Sequence, residues 1–364
     1  MPLAVLVAAA ALPPAVLAAG NSAGAGHAVV LIYHHVSTET PAATSIPPQL
    51  FSEHLEFLDA RGFRVLPLRR LLTALKAGEP LPDNAVAITF DDAYESVYTE
   101  ARPRLAEYGW PFTVFVNTDA IDAGREPYMS WDQLLGLAAD GAAIENHSAS
   151  HAHLARRPDG ETVAAWRERV RADVGHAHAR IAEEIGTEPA LFAWPYGEYA
   201  PALTDVVSGF YSFALAQRSG AIGRGDNWHS DWFALPRFPF GGSFDSVDRL
   251  AMAVNARPLP VVRASSLPPM TDGAAGQPRR LELELAPDGY RADSLSCFAA
   301  SGARLETGSG GDGNRRVRVE LSGAGGPGRN KINCTAAAAD GSGDYYWYSF
   351  QWLQRGPGGG WPAH

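Results

Sequence analysis

The sequence predicts an α/β barrel followed by a small all-β module. Three observations carry this. From about residue 28 to residue 260, short apolar runs alternate with amphipathic stretches, the pattern of parallel βα units. Residues 264–278 (ASSLPPMTDGAAGQP) then read as a linker. Beyond the linker the texture changes to two-residue alternation broken by glycine-rich turns, as in a β-sandwich. The organisation expected is therefore a segment 1–19 removed on export, a barrel over 28–263, a linker over 264–278 and a module over 279–364.

In chain order, Ala28–Tyr33 reads as a buried strand. Phe51–Ala60 reads as a helix with Phe51, Leu55 and Leu58 on one face, since positions three and four apart share a face. Phe63–Leu66 is a short strand, Leu68–Leu75 a helix and Ala85–Phe90 a strand. Ser96–Tyr108 is a helix, Phe112–Asn117 a strand, Trp131–Ala139 a helix and Ala142–Glu145 a strand. The long helix Glu161–Ile185 and the strand-like Pro189–Trp194 follow. A run of this length suits closed βα repeats, whose chemistry sits at the carboxyl ends of the strands. In the module, Arg280–Leu285 and Arg315–Leu321 alternate, and Tyr345–Leu353 is a dense aromatic strand.

Residues 1–19 hold no charged side chain and end in Val16-Leu17-Ala18-Ala19, an apolar core followed by small residues, as at a signal-peptidase site. A periplasmic or secreted protein follows. No later run is long enough to span a bilayer, so no stable membrane insertion is expected after cleavage. Cys297 and Cys334 are the only cysteines. An isolated pair within one exported module reads as a disulfide; neither has the CxxC partner of a four-ligand zinc site. Net charge is −10, and residues 265–364 hold equal numbers of acidic and basic side chains, so the whole imbalance lies before them. An acidic barrel disfavours nucleic acid as a partner and is compatible with neutral or amino sugars.

Two short motifs carry chemistry. Ile88-Thr89-Phe90-Asp91-Asp92 closes an apolar strand, and Asn146-His147-Ser148-Ala149-Ser150-His151 follows the strand Ala142–Glu145. One carboxylate and two imidazoles make a three-ligand site for Zn²⁺, or for Co²⁺ or Ni²⁺, with a position left open. The second carboxylate remains to act as a base. Adjacent residues on a strand point to opposite sides, so the Asp pair can hold two roles. The competing reading is an Asp-Asp turn capping the next helix, with the histidines merely solvated.

TFDDAY, NHSASH and the later Phe192-Ala193-Trp194-Pro195-Tyr196-Gly197 together resemble the polysaccharide deacetylase family, carbohydrate esterase family 4, with its NodB homology domain. Leu31-Ile32-Tyr33-His34-His35-Val36 and Met129-Ser130-Trp131-Asp132-Gln133-Leu134 resemble the branch of poly-β-1,6-N-acetylglucosamine de-N-acetylases. The similarity covers roughly residues 28–260. It implies a deformed barrel of NodB type, with Asp91 as general base and Asp92, His147 and His151 as metal ligands. His34 is implied as general acid, with His35 and the late His229 as competitors. It also implies an oxyanion contact from the Tyr196 N–H, beside Pro195 and Trp194. Asp231 and Trp232 correspond to a fourth motif, and Ser148 to a residue orienting a ligand. Many members carry Arg where this chain has Ala193, and Arg237 is the substitute expected to position the base. Trp131 and Tyr128 are candidates for stacking on sugar faces, while His153 is taken as a surface residue or one that supports the ligands from behind.

The resulting expectation is a metal-dependent hydrolase that removes N-acetyl groups from an N-acetylglucosamine-containing polysaccharide. Chitooligosaccharides or peptidoglycan are alternative substrates, and an inactive sugar-binding barrel is the alternative of another class. In Tyr345–Trp352, one aromatic face (Tyr346, Tyr348, Phe350, Trp352) must be core. Tyr345 and Trp347, on the other face, are a candidate sugar platform. The linker predicts a module that can be removed without disturbing the barrel.

Overall fold

The strand His27–Tyr33, buried along nearly its whole length, organises the molecule. The computed structural model describes residues 26–267, 279–287, 289–309 and 315–362. The expected leader 1–19 and most of the expected linker lie outside these. Across the main sheet the strands run Ile222–Gly223, His27–Tyr33, Ala85–Phe90, Thr113–Val116, Ala143–Asn146, Phe192–Ala193 and Ala214–Leu215. Neighbours from His27–Tyr33 onward are parallel. The curl closes where Leu215 bridges Leu235 and Phe238–Pro239 runs parallel to Leu31 and Ile32. The result is a deformed βα barrel.

Helices Pro48–Ala60, Leu68–Ala77, Trp131–Ala139 and Val163–Ile185 cover the sheet where the periodicity places them. Their starts are written locally. Ser130 and Gln133 form a reciprocal capping box, and the Thr162 side chain accepts from the Ala165 N–H. The expected helix Ser96–Tyr108 is instead a π-turn over Val97–Ala101 leading into Arg102–Tyr108. Among the described residues no helix is long and apolar enough to cross a membrane.

The module is two packed four-stranded sheets. One runs Arg257–Pro258, Tyr345–Gln354, Gly328–Ala337, Ser296–Ala299; the other Val261–Leu267, Arg280–Leu285, Arg316–Glu320, Thr307–Ser309. Leu281, Leu283, Leu285, Val319, Ile332 and Trp352 fill the space between them. Cys297 and Cys334 are register partners on adjacent strands, fully buried and disulfide-bonded.

Two expectations are corrected. Ala264–Leu267, expected to open the linker, belong to the strand Val261–Leu267, which pairs with Arg280–Leu285. The module thus begins before residue 263, because alternation in VVRASSL suits an edge pairing that composition hid. Nor is the module separate. Its last strand turns Trp347, Ser349, Gln351 and Leu353 onto the barrel. Trp347 meets Phe238 edge to face at 5.4 Å, the Ser349 hydroxyl donates to Ser219 O, and Leu353 joins the barrel cluster of Trp166 and Trp194. Trp347 is therefore interface rather than a free platform; Tyr345 is exposed.

Candidate metal centre

Because the barrel strands are parallel, the segments that follow Tyr33, Phe90, Asn146 and Ala193 all emerge at one end. Asp92 leaves the strand Ala85–Phe90 in the left-handed region (φ 71°), and Ala93 follows at φ 59°. Asp91 still belongs to the strand ladder, its N–H donating to Tyr33 O. The two carboxylates part at this turn, rather than by strand alternation alone. Asp92 Oδ1 lies 3.0 Å from His151 Nε2 and 3.4 Å from His147 Nε2. One ligand atom from each of the three residues falls within 4.8 Å of the others. Asp92 Oδ1 is buried yet makes no aligned hydrogen bond, although two ring nitrogens crowd it. A buried acceptor without a donor is costly unless a cation is to sit there. His147 Nδ1, 2.8 Å from Ala193 O, donates to that carbonyl and leaves the Nε2 lone pair facing the centre. This N, N, O set fits zinc or another late first-row divalent ion.

The ligand loop is braced from behind. Ser148 (φ 71°) takes a hydrogen bond on Oγ from the His151 N–H at 3.0 Å, and His151 itself sits at φ 52°. Asn146 accepts from the Ser148 N–H at 2.6 Å, and Asp173 receives the Ala149 N–H and the Ser150 hydroxyl. Each non-glycine residue in such a conformation costs roughly 1–3 kcal/mol, so these contacts must over-determine the loop.

Asp91 points the other way. Arg237, fully buried, donates from Nη1 to Oδ1 at 2.6 Å and from Nη2 to Oδ2 at 2.7 Å. Arg237 is itself held by Ala216 O at 3.0 Å and lies over the Phe115 ring. Burial alone would raise the Asp91 carboxyl, but the Arg237 charge, His147 and the paired hydrogen bonds outweigh it and hold it below the ordinary value. For Asp92 burial is likewise outweighed, by the two imidazoles. Asp91 Oδ2 is 3.8 Å from His147 Nε2, so the carboxylate borders the centre without sharing the ligand set.

His34, half-buried, feels the charges of Asp92, Asp91, Arg237 and His147, which places it at the same end. Burial pushes it below its ordinary value, with the two carboxylates opposing. His35 turns away and stacks on Tyr94 at 3.5 Å, and burial pushes it down to about 4. His229 is exposed, bonds Ser230 O and stacks on Trp232, far from these groups in its contacts. Tyr196 (φ 58°) presents its ring 4.6 Å from that of His151. Pro195, before it in the chain, is buried.

Three pocket expectations change. Trp194 is core: it is buried and its indole N–H donates to Phe233 O. Asp231 caps its own turn through the Phe233 N–H, and Trp232 packs edge to face on Phe213. Trp131 is half-buried, donates to Asp122 Oδ1 at 2.8 Å and carries Arg180 over one ring face. One group escaped the sequence reading, and another took one of its two expected places. His153, expected at the surface or behind the ligands, stacks flat on Tyr196 at 3.8 Å and pairs through Nδ1 with Glu198 at 2.8 Å. The buried Glu198 also takes a bidentate pair from Arg156. Glu198 lies just after Pro-Tyr-Gly, but only folding brings His153 to it.

The family model for polysaccharide deacetylases matches residues 78–210, a stretch that contains Asp91, Asp92, His147, His151 and Tyr196. Residues 78–210 are thus similar to the polysaccharide deacetylase family. The poly-β-1,6-N-acetyl-D-glucosamine N-deacetylase of Escherichia coli K12 is 27% identical over 205 residues, covering 47% of this chain and 30% of its own length. The chain thus spans less than a third of that relative. Among solved structures, IcaB of Ammonifex degensii superimposes with a TM-score of 0.53 at 24% identity, over 63% of this chain and 97% of its own. Streptococcus pyogenes deacetylase PplD, solved with acetate, gives 0.56 at 18% identity, over 64% and 99%. These structural likenesses show the barrel fold alone.

Proposed function

We propose that this protein is an exported, metal-dependent hydrolase that removes N-acetyl groups from an N-acetylglucosamine-containing polysaccharide and releases acetate. The observation that carries this is the pairing of two differently held carboxylates: Asp92, unbonded among two imidazoles, and Asp91, clamped by Arg237. A divalent ion, zinc by the donor set, held by Asp92, His147 and His151 would polarise the acetamide carbonyl and acidify the attacking water.

The chain's own groups then divide the proton work. Asp91 accepts the proton of the attacking water; each of its oxygens keeps a lone pair beyond the one given to Arg237. Arg237 keeps Asp91 ionised and fixed in aim. His34, half-buried at the same end, supplies the proton to the departing amine, which leaves poorly without one. The Tyr196 N–H contributes to holding the negative charge that develops on the carbonyl oxygen. The names of the relatives favour a β-1,6-linked polymer as the substrate. The test is acetate release from acetylated glucosamine polymers of different linkage, with and without chelator. Chelator-sensitive release, greatest on the β-1,6 polymer, is expected; no release from any polymer by the metal-loaded protein would sink the reading.

A further inference from the structure

We propose that Arg329 and Gln351, on two neighbouring strands of the β module, are positioning residues for the loop Pro195–Gly197, so that barrel and module build the site jointly. The proposal rests on the deacetylase reading of that site. Tyr196 (φ 58°) and Gly197 (φ 64°) are consecutive left-handed residues. A Cβ at Gly197 would lie 2.3 Å from Gln217, so glycine is required there. The loop's amides turn inward: Gly197 N–H donates to Trp194 O at 2.8 Å and Glu198 N–H to Pro195 O at 3.1 Å. The carbonyls of Tyr196 and Gly197 are taken by the module. Arg329 Nη1 donates to Tyr196 O, reaching also Gln217 Oε1 at 3.3 Å, and Gln351 Nε2 donates to Gly197 O at 2.9 Å.

The sheet register makes this a built contact. Arg329 pairs with Leu353 and Lys331 with Gln351, and cross-strand partners share a face. Arg329 and Gln351 therefore stand as diagonal neighbours on the face that packs against the barrel, together with Ser349 and Trp347. Both are drawn from the module, yet the backbone they hold carries the ring lying against His151. A shift of this loop moves Tyr196 relative to the ligand set, and misplacement of about 1 Å can cost up to ~10²-fold in rate.

The test uses the full chain with Arg329→Ala, Arg329→Lys and Gln351→Ala, followed by hydrogen exchange, metal content and steady-state kinetics. In Arg329→Ala, exchange at the Gly197 and Glu198 amides should quicken about tenfold while other barrel amides keep their rates. Turnover should fall about tenfold with KM and metal content within about twofold of wild type. Arg329→Lys, which retains one donor, should recover most of the turnover. Gln351→Ala should show the same pattern more weakly. Unchanged exchange at those two amides overturns the proposal, as does unaltered turnover in an active background, or a loss that tracks lost metal. A wild type that releases no acetate would defeat the deacetylase reading instead; the exchange result then still decides the positioning role alone.

Discussion

The barrel rim and the β module solve the same local problem, turning the chain sharply, in opposite ways. Among the described residues, those outside glycine with positive φ are Asp92, Ala93, Ser148, His151 and Tyr196. All lie at the carboxyl end of the barrel, and three carry side chains placed at the candidate metal centre. The module turns instead on Gly289, Gly302, Gly323, Gly341 and Gly343, which adopt such angles freely, and it is pinned by a buried disulfide. The difference teaches where stability has been given up. A glycine cannot carry a ligand, so the rim accepts strained backbone to aim functional side chains, and packed strands and buried hydrogen bonds behind it hold the strain.

The sharpest way to break that comparison is to empty the rim. Asp92→Ala, His147→Ala or His151→Ala should each lose tight metal binding and bring acetate release to background, since three ligands are near the minimum. Metal analysis and turnover of the reloaded variants check this; wild-type turnover after stripping would refute the ligand assignment. Asp91→Asn should keep the metal and lose about 10²–10⁴ in turnover. It should also destabilise the barrel, because Arg237 is left buried without its counter-charge. His34→Ala should keep the metal too, and lose more rate on amides than on activated esters.

On the module side, replacing both Cys297 and Cys334 by Ala should cost roughly 3–4 kcal/mol in the chain-entropy account, for a 37-residue separation. Chemical denaturation of the reduced and mutant chains measures it, and an unchanged midpoint would defeat it. A comparable effect is expected from pH. His54 is buried between the Tyr33 hydroxyl at 3.0 Å and Asp245 O at 2.7 Å, and burial pushes it down to about 4. Its folded value lies below the unfolded value of about 6.5, so its contribution is intact above that pH. It is lost as pH falls toward 4, by about 3 kcal/mol at most. His54→Asn should flatten this slope of stability against pH. The smallest effect compares two alanines. Ala93→Gly relieves a left-handed residue and should stay within about 0.5 kcal/mol of wild type, whereas Ala336→Gly in a regular module strand should cost about 1 kcal/mol.

Much of this was legible in the chain. The periodicity of Phe51, Leu55 and Leu58 and the apolar run Ala85–Phe90 each report neighbours a few residues away, and local propensity decides them. Asp91-Asp92 and His147…His151 were legible because ligand chemistry restricts residue type and because parallel strands bring their carboxyl ends together. The linker was misread at Ala264–Leu267, where a strand's identity depends on Arg280–Leu285 being present to pair with it. Glu198 with His153 left no local signal, nor did Trp194 as a core residue.

By itself, then, the sequence determined the order of the main barrel elements, the barrel class, the Asp92, His147 and His151 set able to hold a metal and the disulfide pair, all consequences of short-range pattern or of scarce residue types. Only the tertiary structure decided that Arg237, 146 positions after Asp91, clamps its carboxylate, and that Asp92 Oδ1 is left unbonded between two rings. It alone decided, too, that the module lays Arg329 and Gln351 on the backbone of Tyr196 and Gly197. Such contacts arise from how finished elements pack, and nothing in the local chain records which surfaces will meet.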